Sequence, residues 1–361
     1  MKYFFIAGEV SGDLHASHLI DAIKKVDADA TFVGMGGDKM LACGMQLTAH
    51  IKQYSFMGFV EVLQNLSKIK RLYRLITSEI VSQKPDKVVL VDYGGFNLKI
   101  AKFCKQHGFE THFYILPKVW AWNEKRVKKI KKYVDFGYCI FPFEENYFRT
   151  FGINANYVGH PVVEQVDAFL STTKSIDINK NQVALLPGSR EQEIKKMLPP
   201  MLEVASMRPN LNFVIAANDY TIEKHLPKLP QNVKIEFGKT FETLMQSQVA
   251  LVTSGTANLE TALLNVPQIV CYKANKLSYA IGKRVVKIKY ISPVNLILDK
   301  AVIKELIQND LNAINLAAEL DSILETKNAL KIKEEYNHLR KVLGNKKAAT
   351  ETANFILKHK K

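Results

Sequence analysis

The sequence is short of cysteine. Four stand in 361 residues, at Cys43, Cys104, Cys139 and Cys271, and no two share a C-x-x-C spacing. A zinc knuckle or a thioredoxin-like redox pair needs that spacing, so both readings fall away. Three of the four lie in apolar surroundings and read as reduced, buried thiols, which suits a reducing cytoplasm. Long apolar runs are also missing. No segment approaches the roughly 18 apolar residues of a membrane-crossing helix. The apolar start, Tyr3 to Ala7, runs at once into Gly8-Glu9 and is too short for a signal peptide. There is no solenoid repeat, no low-complexity stretch and no G-x-G-x-x-G fingerprint. Asp27-Ala28-Asp29 has the D-x-D spacing of some metal-holding sugar-nucleotide sites, but it precedes a strand instead of ending one and reads as a surface turn. Acidic residues are the last shortage. Against 50 Lys and Arg there are 35 Asp and Glu, a formal charge of +15. Such a balance points to an anionic partner, be it nucleic acid, acidic lipid or a phosphorylated substrate.

What is present is a repeated pattern of short apolar run, turn and helical stretch. The first half carries candidate strands at Tyr3–Ala7, Thr31–Gly34, Val88–Asp92, Thr111–Ile115, Phe136–Phe141 and Ala155–Val158. The second half carries them at Val183–Leu186, Phe213–Ala216, Lys234–Phe237, Val249–Thr253 and Gln268–Tyr272. Continuous apolar strands alternating with helices imply parallel sheets covered on both faces. The length exceeds that of one typical core. The pattern therefore predicts an α/β protein of two doubly wound domains facing a cleft, over residues 1–165 and 175–335. A C-terminal helix over 336–361 would pack back on the first domain or serve a homodimer. Ligands in such folds sit at the carboxyl ends of the strands.

Two strand-to-helix turns carry the clearest chemistry. Leu186-Pro187-Gly188-Ser189-Arg190 and Ser254-Gly255-Thr256-Ala257-Asn258-Leu259-Glu260 each place small residues and free N–H groups at a helix start, which favours an anion. Arg190 adds a guanidinium fork that fits phosphate oxygens, and Glu260 lies one helical turn on, where a carboxylate holds a ribose. Together they predict a nucleoside-diphosphate site with no metal cluster beside it. In the first half, Glu9, Asp13 and His15 follow the first strand as sugar contacts or as a bare helix start capped by Ser11. Asp92 ends a strand, either as a helix cap or as a general base. His160, between Gly159 and Pro161, is either a packed hinge residue or a donor to phosphate or a sugar hydroxyl. Trp120 and Trp122 precede six cations between Lys125 and Lys132. That loop admits a membrane or phospholipid contact, an RNA contact, or a solvated helix with its tryptophans in the core. The segment from Phe56 to about Val81 reads as a helix crowded with Phe59, Val60, Val62, Leu63 and Leu66. It sits either on an anionic membrane or between sheet and neighbouring helix.

In order along the chain, AGEVSGDLHA (7–16), GMGG (34–37), MGFVEVL (57–63), VDYGGFN (91–97), VWAW (119–122), PFE (142–144), YVGHP (157–161), LPGSR (186–190) with Glu193, SGTANLE (254–260) and Asn295-Leu296-Ile297 make a specific set. The chain resembles the lipid-A-disaccharide synthases, with a looser match past about 310. The resemblance implies a glycosyltransferase-B fold and an inverting, cofactor-free transfer. UDP-2,3-diacylglucosamine would donate its sugar to 2,3-diacylglucosamine 1-phosphate, giving the β-1,6 disaccharide 1-phosphate and UDP. It implies Asp92 as base, with Glu9 second. Some relatives carry a further Asp where this chain has Gly95. Ser11, His15, Asn97, Trp122 and His160 would bind substrate. So would Ser189, Arg190, Ser254, Gly255, Thr256, Glu260 and Asn295. Because both substrates are acylated, the resemblance also implies a cytoplasmic enzyme peripheral on the inner face of the inner membrane, held by its anionic surface. The alternatives are another UDP-sugar enzyme of the fold, such as an N-acetylglucosaminyl transferase or an epimerase, and a basic RNA-binding protein. For the last there is no helix-turn-helix, RNP or KH signal, so no nucleic-acid partner is expected.

Overall fold

The computed structural model describes residues 1–54, 65–173, 178–217, 220–275, 279 and 288–358. The chain divides into two compact units, one of Met1–Pro161 with Asn345–Lys361 and one of Val162–Gly344. Helix Thr326–Leu343 runs through the expected boundary at 335. It stays with the second unit because Tyr336, Leu339 and Leu343 are buried along it.

In the first unit, seven strands form one sheet in the order β3-β2-β1-β4-β5-β6-β7. They are β1 (Lys2–Ala7), β2 (Thr31–Gly36), β3 (Gln46–His50), β4 (Lys87–Val91), β5 (Thr111–Tyr114), β6 (Phe136–Cys139) and β7 (Ala155–Tyr157). Each pairing is parallel, with Ile6 opposite Met35 on one side and Leu90 on the other. One face of the sheet packs Phe4, Ile6, Val88 and Leu90 against Leu72, Ile76 and Ile80 of one helix and Ile100, Ala101 and Cys104 of another. These helices are Leu66–Gln83 and Gly94–Gln106. A fully buried side chain of this size contributes about 1.5–3 kcal/mol. Helix Val10–Lys24 is met by the C-terminal helix Ala348–Lys358, which buries Ala349, Thr352, Ala353 and Ile356. That i, i+3, i+4, i+7 spacing makes a single apolar stripe.

At the amino ends of these strands lies a polar network. Glu110 accepts from His112 Nε2 at 2.8 Å and from the Lys87 ammonium, and His112 Nδ1 meets the Tyr138 hydroxyl at 2.8 Å. His112, then Lys87, holds the Glu110 carboxyl down at about 2. Asp27 is at this same end and accepts from the N-terminal amine at 3.0 Å.

The second unit repeats the arrangement in six strands, ordered β10-β9-β8-β11-β12-β13. These are β8 (Asn179–Leu186), β9 (Asn212–Ala217), β10 (Val233–Phe237), β11 (Ser247–Thr253), β12 (Gln268–Tyr272) and β13 (Lys304–Ile307), again paired in parallel. β3 and β13 were not expected from the sequence. Both are edge strands, and QLTAH and KELI carry too little apolar character to read as buried strands.

Candidate active site

Each sheet has one place where consecutive connections leave in opposite directions. In the first unit it lies between β1 and β4, and in the second between β8 and β11. The loops that follow such neighbours open side by side at the carboxyl edge. In the second unit this brings 186–190 against 254–260. A cavity of about 370 Å³ results, lined by Gly188, Ser189, Arg190, Glu193, Thr240, Phe241, Ser254, Gly255, Thr256 and Glu260 among others.

The loop before helix Glu191–Met207 is fixed by Glu193. Its carboxylate accepts from the Ser189 and Arg190 N–H groups at 3.1 and 3.3 Å and from the Arg190 guanidinium at 3.3 Å. Gly188 has φ +112°, and a Cβ there would lie 2.6 Å from Glu193. Only glycine meets both demands. The facing helix, Thr256–Leu263, is fixed by the wholly buried Asn258. Asn258 accepts from Gly255 N–H at 3.1 Å and exchanges bonds with Gln268. Thr256 and Gly255 are exposed at its start, and the Ser254 hydroxyl donates to Ile291 O at 3.1 Å. Burial pushes the Glu260 carboxyl up to about 7. Thr240, Phe241 and Thr253 were not singled out from the sequence, and Glu193 entered only among the strings that carry the resemblance. For Thr253 the available signal was a hydroxyl ending the otherwise apolar strand VALVT.

Asn295 is a correction. It is 1% exposed, its Oδ1 accepts from Val302 and Ile303 N–H, and its amide donates to Ile303 O and Glu305. Its hydrogen-bonding groups go to the turn into β13, leaving none for substrate. Glu305 also receives Ile291 and Ser292 N–H, so Asn295 braces the segment that Ser254 leans on.

In the first unit, Asp92 and Tyr93 take left-handed backbone at φ 46° and 49° directly after β4. Asn97 supports this turn. Its amide donates to Asp92 O at 2.8 Å and to Ile6 O and Val91 O at 3.3 Å. It is fully buried, and its Oδ1 is sealed without a partner. The Asn97 amide nitrogen is thus spent on backbone carbonyls. The Tyr93 ring lies over Gly8, where a Cβ would come within 2.2 Å of it. Glu9 is the extended residue ahead of helix Val10–Lys24, and its charge raises the Tyr93 hydroxyl further after burial. Ser11 is exposed inside the first turn of that helix and does not cap it, because the helix begins one residue earlier. Asp13 turns away from any sugar. Its carboxylate accepts from Gly37, Lys39 and Met40 N–H at 2.7, 3.0 and 3.1 Å, tying down the GMGG turn.

Burial raises the Asp92 carboxyl, and Lys118 opposes that shift. Lys118 was not singled out from the sequence as a site residue; its ammonium sits 4.8 Å over the Phe141 ring. His15 is held down at about 4 by burial and by His18, and its Nδ1 is buried without a partner. His160 is 7% exposed with its ring 5.5 Å from Phe141, and burial, then Lys118 and His15, hold it down at about 3. Both rings are neutral near pH 7, and the packing of His160 fits the hinge reading. The two tryptophans separate. Trp120 donates to the buried Glu144 at 2.8 Å, whereas Trp122 is 46% exposed under the Arg126 guanidinium at 4.5 Å. Leu66 is 54% exposed; Phe59, Val60, Val62 and Leu63 lie outside the described residues. Among the described residues no three His, Cys, Asp or Glu are grouped to hold a metal.

The sequence pattern of the family described as lipid-A-disaccharide synthetase matches residues 3–358. The chain belongs to this family. Lipid-A-disaccharide synthases of Syntrophus aciditrophicus and Myxococcus xanthus are 36% and 34% identical to it, over 98% and 99% of this chain and 96% and 97% of theirs. The enzyme is therefore a UDP-sugar glycosyltransferase of lipid A biosynthesis. It also shares its fold with distant solved structures. The calicheamicin glycosyltransferase CalG4 aligns at TM-score 0.66 and 10% identity, over 99% of this chain and 97% of that one. The Methanocaldococcus jannaschii UDP-GlcNAc 2-epimerase, in complex with UDP-GlcNAc and UDP, aligns at 0.63 and 13%, over 99% and 100%. The fold is the two-domain α/β glycosyltransferase-B fold.

Asn97→Leu tests the support of the Asp92 turn. Losing the donor to a buried carbonyl costs about 1–3 kcal/mol, so the urea midpoint falls. An unchanged midpoint would show that the turn holds itself.

Proposed function

We propose that the two half-sites divide the family's reaction between them. UDP-2,3-diacylglucosamine binds the second unit through the 186–190 and 254–260 loops. 2,3-Diacylglucosamine 1-phosphate binds the carboxyl edge of the first. The observation that carries this reading is the single cavity that joins Ser189, Arg190, Gly255, Thr256 and Glu260. Helix-start N–H groups and a guanidinium suit a leaving diphosphate whose charge grows in the transition state. Arg190 is held by Glu193 in the free protein, and the diphosphate replaces that carboxylate as its partner.

Asp92 is the general base. It takes the proton of the attacking acceptor hydroxyl while the bond from the anomeric carbon to the diphosphate oxygen breaks, and attack from the opposite face inverts that carbon. Burial supplies the raised proton affinity a base needs, and the Lys118 charge opposes that rise. Glu9, at the neighbouring strand end, is second in line.

Contact with an anionic membrane surface, at the inner face of the inner membrane, is part of the proposal. The exposed Trp122 and the half-buried Arg126 lie beside the exposed Lys125, Lys128, Lys129 and Lys132. The i, i+3, i+4, i+7 spacing of these lysines gathers them opposite the buried Val127 and Ile130. Each lysine near an acidic surface contributes about 1 kcal/mol.

Three measurements test these assignments. Without divalent metal and in mild detergent, wild type forms disaccharide only when acceptor is present. Asp92→Ala loses about a hundredfold or more in turnover, and Arg190→Ala about a hundredfold. Full activity in Asp92→Ala moves the base to Glu9, and UDP release without acceptor favours an epimerase-like enzyme. Glu260 supplies a pH test. Its carboxyl is raised to about 7, and only the ionised form accepts from both ribose hydroxyls. Uridine affinity therefore rises between about pH 6 and about pH 8, and Glu260→Gln removes the slope; a flat wild-type profile would remove Glu260 from the ribose. For the membrane, phosphatidylglycerol vesicles sediment wild type at low salt and release it as salt rises. Glu at positions 128, 129 and 132 abolishes sedimentation, and neutral phosphatidylcholine binding equally well would refute the charge argument.

A further inference from the structure

Thr253 closes β11 and lines the cavity of the second unit. It is 6% exposed, and its Oγ1 is buried with no hydrogen-bond partner. Its neighbours are served. The Thr253 carbonyl accepts from Asn258, and the next N–H, of Ser254, donates to Cys271 O at 3.1 Å. Only the hydroxyl is left over. The other polar side chains buried in strands of this sheet, Gln182, Ser247 and Gln268, are all hydrogen-bonded, and the residues ahead of Thr253 in its own strand, Val249 to Val252, are apolar. A valine would fill the same shape with no polar atom to satisfy. A buried hydroxyl without a partner costs the free protein stability, and such costs concentrate where a ligand recovers them.

We propose that Thr253 is a donor-binding residue whose hydroxyl donates to the diphosphate of the UDP-sugar. This rests on the second unit being the donor site. The diphosphate is favoured over the nucleoside by position. Thr253 directly precedes the Ser254-Gly255 turn, whose following helix start presents N–H groups suited to an anion. Glu260, the carboxylate assigned to the ribose, stands about one helical turn further on. The hydroxyl therefore joins Arg190 and the helix-start amides as a neutral donor to a charged acceptor. It gives the diphosphate a contact from the floor of the cavity, where the exposed Arg190 gives one from the rim.

The inference predicts a trade of stability against affinity. Thr253→Val leaves the melting temperature of the ligand-free protein unchanged or raises it. UDP affinity falls roughly tenfold or more, the scale of a hydrogen bond to a charged group. Uridine affinity stays at the wild-type value. Thr253→Ser, which keeps the hydroxyl, restores UDP affinity. These are read by calorimetric titration with UDP and with uridine, and by melting curves with and without UDP. Wild-type UDP affinity in Thr253→Val overturns the proposal. Equal loss of UDP and uridine overturns the diphosphate contact in favour of the nucleoside. A lowered melting temperature of free Thr253→Val that Thr253→Ser restores, with UDP affinity unchanged in both, assigns the hydroxyl to the fold and overturns the proposal. If wild type binds no UDP at all, the donor-site reading itself fails, and Thr253 fails with it for a separate reason.

Discussion

In a sheet whose strands all run one way, the chain leaves every strand at the same edge. It must then return over one face before the next strand begins. Both faces are consequently covered, and polar chemistry has one opening, at the carboxyl ends. In both units that opening is widest between two particular neighbours, β1 with β4 and β8 with β11. Glu9 and Asp92 face outward from the first pair, Arg190 and Thr256 from the second. Residues separated by some eighty positions in one case and sixty-six in the other are brought together by strand order alone.

Loops at such an edge have backbone groups that no sheet or helix satisfies, so side chains must do it. Asp13 takes three N–H groups of the GMGG turn, Asn97 holds the left-handed Asp92, Asn258 braces Gly255, and Asn295 braces the segment before β13. All four are buried polar residues within the strings that mark the family. A motif thus mixes two kinds of polar residue. One kind reaches the ligand. The other shapes the loop so that the first kind can.

That mixture marks how far the sequence could be read. The two parallel sheets were legible because apolar runs such as VVLV and VALV need burial on both faces. The edge strands QLTAH and KELI were not, since a strand at the rim has one side free to carry polar atoms. The pairing of LPGSR with SGTANLE was legible because small residues after a strand are themselves unusual. The bracing done by Asn97 and Asn295 was not legible, because an amide bound to a backbone group and an amide awaiting a sugar look the same in one dimension. Thr253 and Lys118 were passed over for a related reason. What distinguishes them is a missing partner in one case and an aromatic face beneath the charge in the other, and both are facts of packing.

The helix Ala348–Lys358 belongs to the unit that begins at Met1, although the whole of Val162–Gly344 lies between them in the chain. Its Phe355 ring lies 6.0 Å from that of Tyr138, and Ile356 is fully buried. During synthesis, then, the second unit has its entire sequence available before the first does. All seven strands of the first sheet lie within residues 2–157, but the face of helix Val10–Lys24 that the last helix covers stays open until residues beyond 348 emerge. The first unit is thus the last to have its whole sequence, although it begins the chain.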